Sequence, residues 1–119
     1  ANYHLVQNHP ELNVGEIGRM ALELAGDDTC DAITRTSAIQ VCGLMGLRES
    51  LSFATRLAVD PSCGPLRIVA IATLGDLGGE EERLLLQKIV ETGDVQLRVA
   101  CESALKKIGK RAPVRRESV

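Results

Sequence analysis

An internal repeat constrains this chain more than any other feature: Arg35, Arg67 and Arg98 each open a segment of one pattern, at spacings of 32 and 31 residues. The segments read RTSAIQVCGLMG, RIVAIATLGDLG and RVACESALKKIG and align without a gap. Three positions after the arginine stand Ala38, Ala70 and Cys101; seven after it Cys42, Leu74 and Leu105; ten after it Met45, Leu77 and Ile108. At 3.6 residues per turn these three offsets share one face, so each segment predicts an amphipathic helix with its buried stripe in the same place. Gly46, Gly78 and Gly109 follow at the eleventh position, where a glycine signals a helix C-terminus. A period in this range means supersecondary units that bury their apolar faces by stacking.

Between the arginine-led segments lie shorter periodic stretches, Ser50 to Val59 and Glu80 to Val90. Phe53 and Leu57 in one match Leu85 and Ile89 in the other. Glu80, Glu81 and Glu82 fall where the helix dipole favours acidic side chains, in the first turn. Val14, Ile17, Met20, Ala21 and Leu24 give the same spacing ahead of Arg35. The expectation is therefore an all-α chain of about six helices in three pairs. An acidic residue also stands seven positions before each arginine: Asp28, Asp60 and Glu91. These fall in the turns between paired helices, where a carboxylate caps a helix or pairs with an arginine. Pro61, Pro65, Gly93 and Asp94 are turn chemistry.

Composition agrees with this class. Of 119 residues, 45% are hydrophobic and 25% charged, ordinary globular proportions, while Tyr3 and Phe53 are the only aromatic side chains. An aliphatic core suits close helix packing and fits poorly with β-sandwiches or barrels, which favour aromatic and β-branched strands. No apolar run reaches the length of a membrane-spanning helix, and the N-terminus lacks a secretory pattern. Cys30, Cys42, Cys63 and Cys101 form no CxxC pair, and two of them lie inside helical patterns where a thiol behaves as a small hydrophobe. Reduced cysteines and a cytoplasmic location are the expectation.

The repeated segments resemble the HEAT-like repeats named after phycobilisome lyases, whose unit is a helix, a turn carrying Asp, and a second helix of pattern vR.aAi.aLg.lg. RIVAIATLGDLG matches that pattern nearly position for position, and the resemblance spans roughly residues 12–109. Residues 1–11 then read as an N-terminal extension or partial cap, and 110–119 as a basic C-terminal tail. The resemblance implies an α-solenoid, an α/α superhelix of antiparallel helices in three HEAT-like pairs. It also implies second helices lining a concave face, and a ladder of Arg35, Arg67 and Arg98 with Asp28, Asp60 and Glu91. The acidic-to-arginine distance is one residue longer here than is usual in that family.

If the three apolar offsets face the core, the first, fifth, eighth and ninth point away from it. They supply Thr36, Gln40, Gly43 and Leu44, then Ile68, Ala72, Gly75 and Asp76, then Val99, Ser103, Lys106 and Lys107. A protein or peptide partner could cover this partly apolar strip through nine of these positions, Thr36, Gln40, Leu44, Ile68, Ala72, Asp76, Val99, Ser103 and Lys106, since solenoids recognise ligands on extended concave surfaces. Contact with a neighbouring repeat or a further domain accounts for it equally well. The array would self-associate through its ends if these are poorly capped.

No nucleophile with a base, paired acid and base, or metal cluster emerges, and no catalytic residue, metal or cofactor is expected. His4 and His9 lie ahead of the repeats; Cys30 with Cys63 would make only half a zinc site. Nucleic acid is not an expected partner, because the repeats lack aromatics and a basic face. Net charge is −2, with Lys106, Lys107, Lys110, Arg111, Arg115 and Arg116 gathered near the C-terminus. A protein-interaction scaffold is the leading functional reading. The alternative is a subunit or domain of a cofactor-handling enzyme such as a bilin lyase, against which the scarcity of aromatics to cradle a tetrapyrrole counts.

Overall fold

A computed structural model describes residues 14–92 and 94–111, and every helix in it begins or ends on a feature the sequence supplies. Among the described residues there are six α-helices and no strand: α1 (Val14–Ala25), α2 (Ala32–Leu44), α3 (Leu51–Val59), α4 (Pro65–Leu77), α5 (Glu80–Val90) and α6 (Val95–Arg111). Short 3-10 turns at Arg48–Ser50 and Pro61–Cys63 precede α3 and α4. The N-terminal extension, both histidines, Tyr3, the turn glycine Gly93 and the tail beyond Arg111 lie outside the described residues.

The N-termini of α2, α5 and α6 are held by local hydrogen bonds that satisfy otherwise orphaned amides. The carboxylate of Asp31 accepts from the Thr34 amide at 2.7 Å to cap α2, and that of Asp94 accepts from the Leu97 amide at 3.0 Å to cap α6. Before α5 the Gly79 amide donates to Glu82 Oε1 at 2.7 Å. Pro65 occupies the first position of α4, where its missing N–H is no loss.

The three glycines of the repeat do three different things. Gly46 adopts φ +69°, and the bonds from its own amide to the Gly43 carbonyl and from the Leu47 amide to the Cys42 carbonyl close α2 in a Schellman motif. Gly78 ends α4 in an extended conformation at φ −77°; a Cβ there would stand 2.4 Å from the Leu74 carbonyl and 2.6 Å from Glu82 Cβ. It is a glycine because two helices meet at its backbone. Gly109, expected to end α6, lies inside that helix, which runs two residues further to Arg111.

Consecutive helices pack in pairs, α1 on α2, α3 on α4 and α5 on α6, while α2 also packs on α4 and α4 on α6. Ala21, Ala25, Ala54, Ala58 and Ala70 are fully buried and let the helices approach closely; Ile39, Ile71, Leu74 and Leu86 fill the space between. The core stripe of the repeat is buried in α4 at all three offsets, Ala70, Leu74 and Leu77. Because α4 has neighbours on several sides, Leu66, Val69, Ile71, Thr73 and Gly75 are buried as well. Its one buried hydroxyl, that of Thr73, donates to the Val69 carbonyl at 3.0 Å.

In α2 and α4 the eighth offset does not point away from the fold, whereas Lys106 at that offset in α6 is exposed. Gly75 is buried against α6, where a Cβ would come within 2.7 Å of Ala104 Cα and Cβ; a Cβ on Gly43 would meet Asp76 Oδ2 of α4 at 3.1 Å. Glycine at this offset marks the closest contact between one second helix and the next.

Candidate functional site

The strip of α2, α4 and α6 opposite the core stripe forms two apolar grooves with Ile68 between them. In the first, between α2 and α4, Thr36, Gln40 and Leu44 face Ile68, Ala72 and Asp76 across an open cavity of about 680 Å³. Six of the nine partner-contacting positions read from the sequence therefore line one groove. Pro65, Val69 and Thr73 complete it. Pro65 belongs to the helical series 65, 68, 72 and 76, so its spacing was readable; its first-turn position hid it among turn residues. The second groove, between α4 and α6, measures about 550 Å³ and is lined by Ile68, Val95, Gln96, Val99 and Ala100. Of the three positions expected on α6, Val99 lines it, whereas Ser103 and Lys106 are exposed and line neither groove.

The grooves are apolar and solvent-facing at once. Leu44 is 72% exposed, Val95 69% and Val99 62%, although all three are aliphatic. At the opposite end from Pro65 the groove becomes polar: Lys107 donates to Asp76 Oδ1 at 2.8 Å, tying α6 to α4 on the surface. An exposed pair of this kind contributes at most about 1 kcal/mol. Its value lies in fixing a charge of each sign beside an apolar floor.

The arginines that define the repeat lie away from the grooves and act on helix ends. Arg35 donates through Nε and one terminal nitrogen to the Ala25 carbonyl, both at 3.1 Å, and Arg67 donates through Nε to the Ala58 carbonyl at 3.0 Å. Each guanidinium thus satisfies a last-turn carbonyl of the first helix in its own pair, that of the final residue in α1 and of the penultimate residue in α3. Arg98, at the same place in α6, is exposed. Two further arginines act alike on α4, Arg48 on the Leu77 carbonyl at 3.0 Å and Arg111 on the Gly78 carbonyl at 2.8 Å.

The acidic positions of the expected ladder are arranged less regularly. Asp28 stands 3.9 Å from Arg35 and is almost wholly exposed, so the pair is loose. Asp60 accepts from both the amide and the hydroxyl of Ser62, at 2.9 and 2.7 Å. Its counterpart in hydrogen bonding is Asp27 rather than Asp28, accepting from the Thr29 amide at 2.9 Å and its hydroxyl at 2.6 Å. The physical reason is the length of the connection: four residues lie between Cys30 and Arg35 but three between Cys63 and Arg67. Glu91 is exposed just beyond α5. Asp60 and Arg35, from adjacent pairs, line a small cavity of about 310 Å³ with Asp28, Phe53, Arg56, Leu57 and Cys63.

The thiols are held against reactivity. Burial pushes Cys42 up to about 11 and raises Cys101. Cys30 is raised by desolvation and then by its hydrogen bond to Asp27, into whose Oδ2 the thiol donates at 3.4 Å; Cys63 is raised by desolvation and then by Asp60. A nucleophilic thiolate needs the opposite environment. Among the described residues no three His, Cys, Asp or Glu side chains gather as a metal site would require, and no helix is long and apolar enough to cross a membrane.

Comparison with known proteins adds no relative: no family model matches the chain, and neither a characterised protein nor a solved structure matches it.

Proposed function

We propose that this chain is an α-solenoid of three HEAT-like helix pairs acting as a protein-interaction module, which receives an apolar segment of a protein partner across α2, α4 and α6. The observation that carries the reading is the pair of open apolar grooves on either side of Ile68, floored by exposed aliphatic side chains on a surface whose core-facing side is already filled. Apolar surface of this kind, contiguous and rimmed by polar groups, is where proteins take partners. The stacking of second helix on second helix supports the solenoid reading, because it places equivalent positions of successive pairs in register along one face.

In this reading Leu44, Ile68, Ala72 and Val99 supply the contact area. Thr36 and Gln40 offer hydrogen bonds to the partner's backbone, and the Asp76–Lys107 pair sets polarity at one end. The test is selection of peptides on the intact chain from a random displayed library, followed by binding to the variant Ile68→Glu with Ala72→Arg. Loss of more than about tenfold in affinity, with helical circular dichroism retained, is the expected result. Selected peptides that bind the double variant as tightly as the parent would place the recognition surface elsewhere.

A further inference from the structure

The three second helices differ along one line of side chains, and the difference is confined to the last. Starting at the repeat arginine and stepping by four, α2 carries Arg35, Ile39 and Gly43, and α4 carries Arg67, Ile71 and Gly75. Ile39 and Ile71 are fully buried, Gly75 packs on Ala104 of α6, and Gly43 packs on Asp76 of α4. This is the side that each helix turns to the next pair. The arginines on it are half-buried there, and Arg35 and Arg67 lie near enough to Cys63 and Cys101 of the following pair to bear on those thiols. In α6 the same line reads Arg98, Glu102, Lys106 and then Lys110, and all four are exposed.

The substitutions are of a kind that forbids stacking. A buried isoleucine has become a carboxylate, whose desolvation without a partner is severely unfavourable. A glycine that allowed backbone contact has become a lysine. The new charges are spaced for mutual support, Arg98 with Glu102 and Glu102 with Lys106, the second in the favoured order of glutamate four residues ahead of lysine. The first helix of the pair changes less uniformly: Leu51, packed on the core in α3, corresponds to Arg83 in α5, which pairs with Glu80 at the surface, whereas the exposed Ser52 corresponds to Leu84, 49% exposed.

Resting on the solenoid reading above, we infer that the α5–α6 pair is a closing repeat: the outward side of α6 is built for water and accepts neither a fourth helix pair nor a second copy of the chain. Self-association through this end of the array is thereby excluded, and recognition is left to the lateral face, where Val95 and Val99 of α6 keep their apolar character beside Ile68.

Sedimentation velocity and thermal melting of three forms of the full chain test this: the parent, the charge-reversed Glu102→Lys with Lys106→Glu, and Glu102→Ile with Lys106→Ala, which restores the inner-helix character. The parent and the reversed form should sediment and melt alike, while the restored form self-associates at a concentration at least about tenfold lower. If the double variant loses its helical circular dichroism, Glu102→Leu alone carries the comparison. A parent oligomer dispersed by the charge reversal, or a reversed form that melts well below the parent, would show that this side is covered and overturn the inference. So would a folded Glu102→Ile, Lys106→Ala form that stays as monomeric as the parent. Peptide binding in the grooves is read by neither measurement, so failure here is distinct from failure of the proposed recognition surface.

Discussion

The same arginine has different work at different places in this chain. Arg35 and Arg67 lie half-buried with their guanidinium groups on last-turn carbonyls of α1 and α3, and a buried acceptor left unpaired is costly. Arg67→Ala should therefore destabilise the chain by about 1–2 kcal/mol in urea unfolding, part of it through lost packing of the side-chain stem. Arg98→Ala, at the exposed counterpart, should change stability by less than about 0.5 kcal/mol. Equal losses at the two positions would mean that the capping bond is not what the repeat arginine contributes. The positions of these arginines were plain in the sequence, but their partners were not. A carboxylate seven residues upstream is a visible candidate, whereas a helix-terminal carbonyl carries no letter of its own. The tight approach at Gly75 was hidden for a related reason, since its partner Ala104 lies on another repeat and is itself unremarkable by type.

At the scale of helices and turns, periodicity was enough to place all six helices, because a stripe repeated at one register in three segments is a strong signal. Ends were harder: glycine closes α2 and α4 by different geometry and passes unnoticed through α6. The carboxylates at the turns carry the chain's response to acid. Asp27 and Asp60 are held below the usual carboxylate range first by the side-chain hydroxyls of Thr29 and Ser62 and then by their amides; Asp31 is lowered first by the Thr34 amide. Below about pH 3.8 the unfolded chain takes up protons that these folded carboxylates still refuse, so stability falls as pH drops through the folded values. The thiols act in the opposite sense. Each is raised, so the fold keeps protons that the unfolded chain releases above about pH 9, and stability should decline as pH rises from there towards 11, the value to which burial pushes Cys42. Melting temperature measured from pH 3 to 11 should show a plateau bounded on both sides. A melting temperature flat from pH 8 to 11 would contradict the assigned thiol environments.

For the molecule as a whole, the question is whether the face proposed for recognition is separable from the fold that carries it, and two isoleucines of one helix decide it. Ile68 and Ile71 are three residues apart on α4; the first is 37% exposed between the two grooves, and the second is fully buried between second helices. The sequence assigned the first to the outer strip through its offset, but gave no means to tell that the second faces a neighbouring pair, because both are isoleucines outside the core stripe. Glutamate at position 71 would place an unpaired carboxylate in a dry interface, losing the isoleucine's packing as well. That combination should cost more than about 4 kcal/mol and leave the chain largely unfolded at room temperature. Glutamate at position 68 loses only partial burial and keeps its charge in water, so its cost should stay near 1 kcal/mol or below. Urea unfolding followed by circular dichroism separates the two cases. If Ile68→Glu unfolds the chain as Ile71→Glu does, the groove floor is part of the core, and no substitution there could report on binding alone. If the predicted separation holds, the face can be altered freely while the stack beneath it stands, which is the physical condition for a module whose recognition is tuned independently of its fold.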